Sequence, residues 1–304
     1  MRAVRFERYG GPEVLHISEV PTPEAGQGQV RIRVEAFSIN PMEYKIRSGS
    51  WSEGQPLKAP QGTARDVAGV IDQIGDGVSG FAVGDKVYGS APDAAAEFAV
   101  LYSYAHIPNE LSFTDAASLP MSIETAARAL DLVRARPPAL ILLNGAAGGV
   151  GTAAIQLAIA RGYDVIGTAS KPNHDYLRSL GAVPTTYGDG LAVRVSKLTD
   201  RKIDAAIDLQ GKGAIPTLID ITGEPSHVIS IVDFSAASLG AQITGGANVK
   251  HAWYVLDDVA RLVREGKFRP GDVTVLPWTE IVHAHELLED GHTRGKIVLQ
   301  VSSS

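Results

Sequence analysis

The segment PALILLNGAAGGVGTAAIQLAIARGYDVIGTAS, beginning at Pro138, constrains this chain more than any other stretch, because it reads in order as strand, glycine turn, helix and strand. Ala139 to Leu143 is an apolar run too short for a helix, and Gly145, Gly148 and Gly151 follow it at three-residue spacing. Three glycines so placed have three uses. One permits the tight turn out of the strand, one lets backbone N–H groups approach a pyrophosphate, and one lets the helix pack closely on the sheet. A phosphate there meets unpaired N–H groups and the positive end of the helix dipole. The segment therefore predicts a dinucleotide site along Gly145, Ala147, Gly148, Gly149, Val150 and Gly151. Gly148 is expected to face the phosphate at a backbone angle that a β-branched residue rarely adopts.

The rest of the composition removes competing classes. A length of 304 residues allows a substantial core and two domains. The formal charge of −6 offers no basic footprint for nucleic acid. Absence of cysteine excludes disulfides, thiolate metal sites and cysteine nucleophiles together. No apolar run approaches the length of a membrane span, and MRAVRFERYGGPEV lacks the apolar core of a secretory signal, so a cytoplasmic protein with no membrane partner is expected.

Punctuation changes along the chain. Up to residue 118, short β-rich runs (RAVRFE, VLHISEV, QVRIRVEAFSI, VAGVIDQIG, DKVYG, AEFAVL) alternate with Gly and Pro turns. Residues 119–246 alternate helix and strand, the rhythm of a doubly wound parallel sheet. Residues 247–304 hold an amphipathic helix (WYVLDDVARLVREGKF), a strand (VTVLPW), a second helix (EIVHAHELLEDG) and a closing strand (GKIVLQV). That last strand is expected to return to the first domain, setting the two domains around one cleft.

Seven blocks then fall in a recognisable order: INPMEYKIRSG at 39–49, RDVAGVIDQIGDGVSGFAVGDKVYG at 65–89, AAEFAV at 95–100, LSFTDAASLP at 111–120, GAAGGVG at 145–151, RSLGA at 178–182 and GHTRGKIVLQV at 291–301. In these the chain resembles the zinc-independent medium-chain dehydrogenase/reductases of the quinone oxidoreductase (zeta-crystallin-like) group. The resemblance implies an α/β protein, with a GroES-like β-rich catalytic domain over 1–118 and 247–304 and a Rossmann domain over 119–246. It also implies a nicotinamide cofactor, usually a homodimer, and reduction of quinones or of carbon–carbon double bonds conjugated to a carbonyl.

Zinc-dependent relatives hold their metal through a cysteine, a histidine and a further ligand. Asn40 and Arg65 take the places of that cysteine and histidine, and an amide with a cation is not a zinc site. His283 and His285 lie two apart, point away from each other on a helix, and read as surface or interdomain histidines. No metal is expected.

The cofactor's identity depends on the strand after the glycines. Asp164 has the spacing of an acidic ribose ligand but precedes the apolar run VIGTA, whereas ligands bind at the carboxyl ends of strands. That end reads Thr168, Ala169, Ser170, Lys171, and a hydroxyl with an ammonium suits the 2′-phosphate of NADPH. By resemblance, Tyr187 flanks the same phosphate, Thr125 lies near the nicotinamide, Asn40 is a polar cleft residue, and Ile231 with Val232 forms an apolar wall. Lys45 and Trp51 stand where relatives often carry tyrosines, so a phenolic proton donor does not transfer to them. Tyr44 is adjacent, and Trp51 either stacks on a flat acceptor or packs locally. Ala64 replaces a glycine common before the acidic Asp66.

With no metal and no nucleophile, the chemistry that remains is hydride transfer to a small-molecule quinone or enone, with Asn40, Tyr44, Trp51 and Thr125 as the catalytic candidates. Enoyl-thioester reduction, and an NADPH-binding protein with little turnover, stay open as alternatives. The run LGAQITGG at 239–246 is the expected edge strand of the dimer.

Overall fold

A computed structural model describes residues 1–246, 249–291 and 295–301. The chain separates into two compact units, Met1–Met121 with Leu256–Glu265 and Arg269–Ser304, and Ser122–Val255 with Gly266–Phe268. The α/β class, a GroES-like sheet plus a Rossmann-like parallel sheet, is as the sequence predicts.

In chain order the first unit opens with β1 (Arg2–Arg5), β2 (His16–Glu19) and β3 (Val30–Ile39). Val30, Ile32, Val34 and Ala36 alternate inward along β3, as a period of two requires, and Phe37 to Ile39 are buried throughout. Helix α1 (Pro41–Arg47) begins on Pro41, whose fixed φ suits a first turn, with Asn40 as its N-cap. β4 (Asp66–Ile74), β5 (Lys86–Ser90), β6 (Phe98–Leu101), β7 (Ser103–His106) and the short helix α2 (Phe113–Ala117) follow, before α3 (Pro120–Asp131).

The second unit supplies β8 (Leu140–Asn144), α4 (Gly149–Ala160), β9 (Asp164–Thr168), α5 (His174–Ser179), β10 (Val183–Thr185), α6 (Leu191–Ser196), β11 (Ala205–Asp208), α7 (Ile215–Thr222), β12 (Val228–Ser230) and β13 (Gln242–Ile243). Its six strands are all parallel, in the order β10-β9-β8-β11-β12-β13. Every residue of β8 is buried, which is why LILLN reads as an unbroken apolar run rather than an alternation. β13 is one of the two edge strands, β10 being the other, and lies within the run the sequence marked. The chain closes with α8 (Val255–Arg264), β14 (Val273–Pro277), α9 (Ile281–Asp290) and β15 (Lys296–Gln300). β15 does return to the first sheet, pairing antiparallel with β3 (Ile297 opposite Ile39) and parallel with β14. Phe6, Phe37, Leu101, Trp278 and Leu299 share that unit's core. Among the described residues no helix is long and apolar enough to cross a membrane.

The three glycines divide their labour as the sequence requires. Gly145 holds φ at +89° in the turn out of β8. A Cβ at Gly151 would lie 2.5 Å from the carbonyl carbon and oxygen of Ala146, so this glycine sets how closely α4 approaches the turn. Gly148, the N-cap of α4, has nothing within 4 Å of where its Cβ would stand. Its φ of −79° corrects one expectation: this is ordinary extended backbone, open to any residue. The space at Gly148 is therefore free without being strained.

Side chains at the carboxyl ends of the four central strands form one buried chain. Ser230 Oγ donates to Asp208 Oδ2 at 3.0 Å, Asn144 Nδ2 to Asp208 Oδ1 at 2.9 Å, Thr168 Oγ1 to Asn144 Oδ1 at 2.9 Å, and Gly145 N to Thr168 Oγ1 at 2.9 Å.

Two outcomes follow for urea denaturation. Gly151→Ala should lower stability by about 1–3 kcal/mol through overpacking, while Gly148→Ala should stay within about 0.5 kcal/mol of the parent. Equal midpoints for the two would show that the approach of α4 is not tight. Asn144→Ala removes the acceptor of the buried Thr168 hydroxyl and one of the four donors to Asp208, and should cost about 1–3 kcal/mol; an unchanged midpoint would show that the hydrogen-bond chain does not hold the sheet.

Candidate functional site

Both units carry polar constellations. In the second, α4 starts at the open Gly148, with the backbone of Gly149 and Val150 forming its first turn and Ala147 half-buried before it. Parallel sheets of this type bind ligands beyond the carboxyl ends of their strands, and this helix terminus lies there. Thr168, the last residue of β9, is wholly buried and spent on the turn, so it is not free for a ligand. Ser170 accepts from Asn173 Nδ2 at 3.1 Å, and Lys171 is exposed. Asp164 sits at the opposite, amino end of β9 and pairs with Arg201 at 2.6 Å, as its place before the apolar run implies.

Tyr187 is exposed two residues past β10. The loop that carries it is held by Arg194, which donates to the carbonyl oxygens of Thr186, Tyr187, Gly188 and Asp189 at 2.6–3.2 Å. Sequence reading missed this residue. Its donors are consumed by backbone, so Arg194 shapes the loop. Ile231 is half-buried and Val232 exposed, directly after β12, where Ile231 N donates to Asp208 O at 3.1 Å.

Thr125 lies in the second turn of α3, its hydroxyl donating to Glu124 Oε2 at 3.4 Å. Glu124 is fully buried and also missed by sequence reading. Its Oε1 accepts from Arg128 Nε at 2.8 Å and Ala252 N at 3.1 Å, and pairs with His251 Nδ1 at 3.1 Å. Arg128 Nη1 continues to Thr244 Oγ1 at 2.6 Å. A buried carboxylate so fully engaged fixes the rotation of α3, and with it the direction of Thr125.

In the first unit the organiser is Asp66, at the start of β4 and fully buried. Oδ2 accepts from Ser38 Oγ at 2.9 Å, Asn40 Nδ2 at 3.0 Å and Lys296 Nζ at 3.0 Å, while Oδ1 accepts from Met121 N at 2.7 Å. Lys296 also donates to Asn40 Oδ1 at 2.5 Å. Asn40 N in turn donates to Glu43 Oε2 at 2.8 Å, whereas Glu43 Oε1 is buried with no partner. Burial first, then the nearby Asp66 carboxylate, raises the Glu43 pKa to about 7, against the pull of Lys296. Tyr44 is half-buried, and Trp51 is 53% exposed with the Lys45 ammonium 5.6 Å from its ring centroid. Trp51 thus has a local cation partner and keeps an open face.

Beside this cluster the first unit holds a chamber of about 300 Å³, open to solvent on one side and lined by Phe6, Ile46, Pro92, Thr63, Glu43 and Arg65 among others. Ala64 enters β4 with φ of +66°, where a glycine would be unstrained; its methyl is buried and the strain costs roughly 1 kcal/mol. That turn puts Arg65 on the chamber wall and Asp66 in the polar cluster.

The two histidines need a correction. His283 is exposed, but His285 is fully buried in the first unit with neither ring nitrogen hydrogen-bonded. Burial, then the Arg47 guanidinium, lowers its pKa to about 3, so it is a neutral core residue. The angle between two rings on a helix does not show which face packs inward, and α9 turns the His285 face into the core.

Residues 180–299 match a family model described as zinc-binding dehydrogenase, and residues 26–101 match the alcohol dehydrogenase GroES-like domain. A quinone oxidoreductase of Rattus norvegicus is 35% identical over 245 residues, covering 73% of this chain and 74% of the relative. A 2-methylene-furan-3-one reductase of Solanum lycopersicum is 31% identical over 322 residues, covering 98% and 79%. Among solved structures, the quinone oxidoreductase from Coxiella burnetii superposes with a TM-score of 0.83 at 33% identity, over 99% of both chains. Likeness over this extent, on a GroES-like sheet and a parallel sheet with the glycine turn in place, has one consequence: the chain belongs to the medium-chain dehydrogenase/reductase family, in its quinone oxidoreductase group.

Proposed function

We propose that this protein is an NADPH-dependent, zinc-free reductase that transfers hydride to a quinone or to the double bond of an α,β-unsaturated carbonyl compound. The observation that carries the reading is the open backbone at Gly148, at the first turn of α4, with Lys171 exposed beyond the carboxyl end of β9. The pyrophosphate would lie along Gly148 to Val150, against unpaired N–H groups. Ser170, Lys171 and Tyr187 would take the 2′-phosphate, and no carboxylate stands among residues 168–171 to repel it. Thr125, held by Glu124, and the apolar Ile231 and Val232 would orient the nicotinamide end.

The donor set does not fit zinc. Asn40 already spends its amide oxygen on Lys296, Arg65 brings a cation, and the chain has no cysteine. The bound cofactor supplies the hydride, and the reduced acceptor takes one proton, so that enone, NADPH and a proton give the saturated carbonyl and NADP⁺. Asn40, fixed by Asp66 and Lys296, offers a positioned polar group for the acceptor. Tyr44 and Trp51 remain candidates for its walls. Relatives named as quinone oxidoreductases and as a furanone reductase support both acceptor classes.

We further place a homodimer contact at the edge strand β13, near the exposed Phe234 and Leu239. Pairing there removes a row of unsatisfied backbone groups. Sedimentation should give twice the 32.1 kDa of one chain, and a monomeric mass in dilute solution would end the idea.

NADPH oxidation over a panel of quinones, enones and enoyl thioesters tests the activity, and cofactor binding without turnover of any of them would favour a non-enzymatic role. Lys171→Ala should weaken NADPH about 10-fold or more with little change for NADH, since a charge-assisted contact contributes about 1.5–3 kcal/mol. Equal loss for both cofactors removes Lys171 from the phosphate site. Gly148→Val should fold normally yet lose the rise in melting temperature that NADPH gives the parent by mass action. A normal shift in that variant would sink the proposed cradle.

A further inference from the structure

The chamber of the first unit combines apolar walls with a cation that has no partner. Phe6, Ile46 and Pro92 line it, together with Arg65, whose guanidinium makes no hydrogen bond or ion pair with the described residues. Neighbouring cations are all engaged: Arg5 with Asp93 at 2.7 Å, Lys296 with Asp66 at 3.0 Å, and Arg47 with Glu289. The chamber's two acids do not offset Arg65. Asp93 is matched by Arg5, and Glu43 is buried with one carboxyl oxygen unpartnered. A cavity of about 300 Å³ is at the small end of ligand sites, large enough for an acceptor of a few carbon atoms.

We propose that this chamber is a carboxylate subsite, and that the acceptors of this enzyme are α,β-unsaturated carbonyl compounds bearing a carboxylate, bound by Arg65. The inference rests on the reductase reading above and names its substrate class. A planar guanidinium fork matches a carboxylate in two parallel hydrogen bonds, which a lysine in its place would not reproduce. The apolar walls suit the short carbon skeleton between carboxylate and ketone.

Glu43 sets the charge that the ligand meets. Facing it are Asp66 from β4 and Lys296 from β15, which cancel each other, and Arg65 and Asp93 across the chamber, with Arg5 behind Asp93. On its own helix lies Arg47, paired with Glu289 of α9 and near Glu13, and His285 beside Arg47 is neutral. With those charges paired, the chamber is positive while Glu43 is protonated, and ionisation of Glu43 as pH rises through about 7 opposes an anionic ligand. The same raised pKa gives Glu43 a contribution to stability that is fully present below the ordinary carboxylate pKa and is lost as pH rises to about 7.

The probes are 4-oxo-2-pentenoate and its methyl ester, reduced with NADPH. The parent should show a KM about 10- to 100-fold lower for the acid, a ratio that Arg65→Met brings close to one and Arg65→Lys restores only in part. The preference should fall above pH 7 in the parent and stay level in Glu43→Gln. Calorimetric titration with 4-oxopentanoate, which needs no turnover, should show binding to the parent and about 10-fold or weaker binding to Arg65→Met. No preference in the parent, equal loss on acid and ester in Arg65→Met, or the same alkaline fall in Glu43→Gln would overturn the subsite while the reductase reading stands. Failure to reduce any acceptor would overturn both.

Discussion

Asp208 is the constraint on which the cofactor side depends. It is a buried carboxylate with four donors, Asn144 Nδ2 at 2.9 Å, Gln210 N at 3.3 Å, Gly211 N at 3.0 Å and Ser230 Oγ at 3.0 Å. Left unsatisfied, such a group would be driven out of the core or neutralised. Satisfied, it ties the ends of β8, β11 and β12, and Asn144 passes the constraint through Thr168 to the amide of Gly145. The tight turn thus inherits its position from four strands at once. That is how an exposed, unstrained residue such as Gly148 can present backbone donors in a fixed place without contacts of its own.

Asp66 does the same for the first unit with different partners. Its donors come from β3, from the cap of α1, from the backbone at Met121 and from β15, so segments far apart in sequence meet on one carboxylate. A lysine ammonium completes the set. An ion pair and an amide hold this geometry through hydrogen bonds. A buried pair of this kind contributes little net stability over apolar packing, and what it fixes is orientation.

How much of this the sequence disclosed follows from distance along the chain. The glycine turn, the direction of β9 and the irrelevance of Asp164 were legible because they are local: strand, turn and helix occupy consecutive residues, and the polarity of a strand follows from chain order. The return of GKIVLQV to the first sheet was legible by pattern. The partner of Asp66 was not, since Lys296 lies 230 residues away and looks like any exposed lysine before a strand. Arg194 was invisible for another reason, because its work is on backbone carbonyls and leaves no complementary side chain to find. The short strands β7 and β10 escaped because SYAH and VPT carry almost no alternation, and sheet neighbours rather than propensity make them strands. His285 was misread because ring geometry within a helix says nothing about what the helix packs against.

The carboxyl groups of the first unit show why one cluster can both position and tune. Glu43 sits at the third residue of α1, where its carboxyl can reach back to the Asn40 amide, and that same reach carries it into the field of Asp66. Burial, then the nearby Asp66 carboxylate, makes Glu43 hold its proton more tightly, and its second oxygen has no donor, whereas the oxygens of Asp66 accept from four. The capping role fixes the position of Glu43 and its burial fixes its charge. While Glu43 keeps its proton it sets no charge against Arg65, so under the proposed subsite the polarity of the chamber is a by-product of how α1 begins.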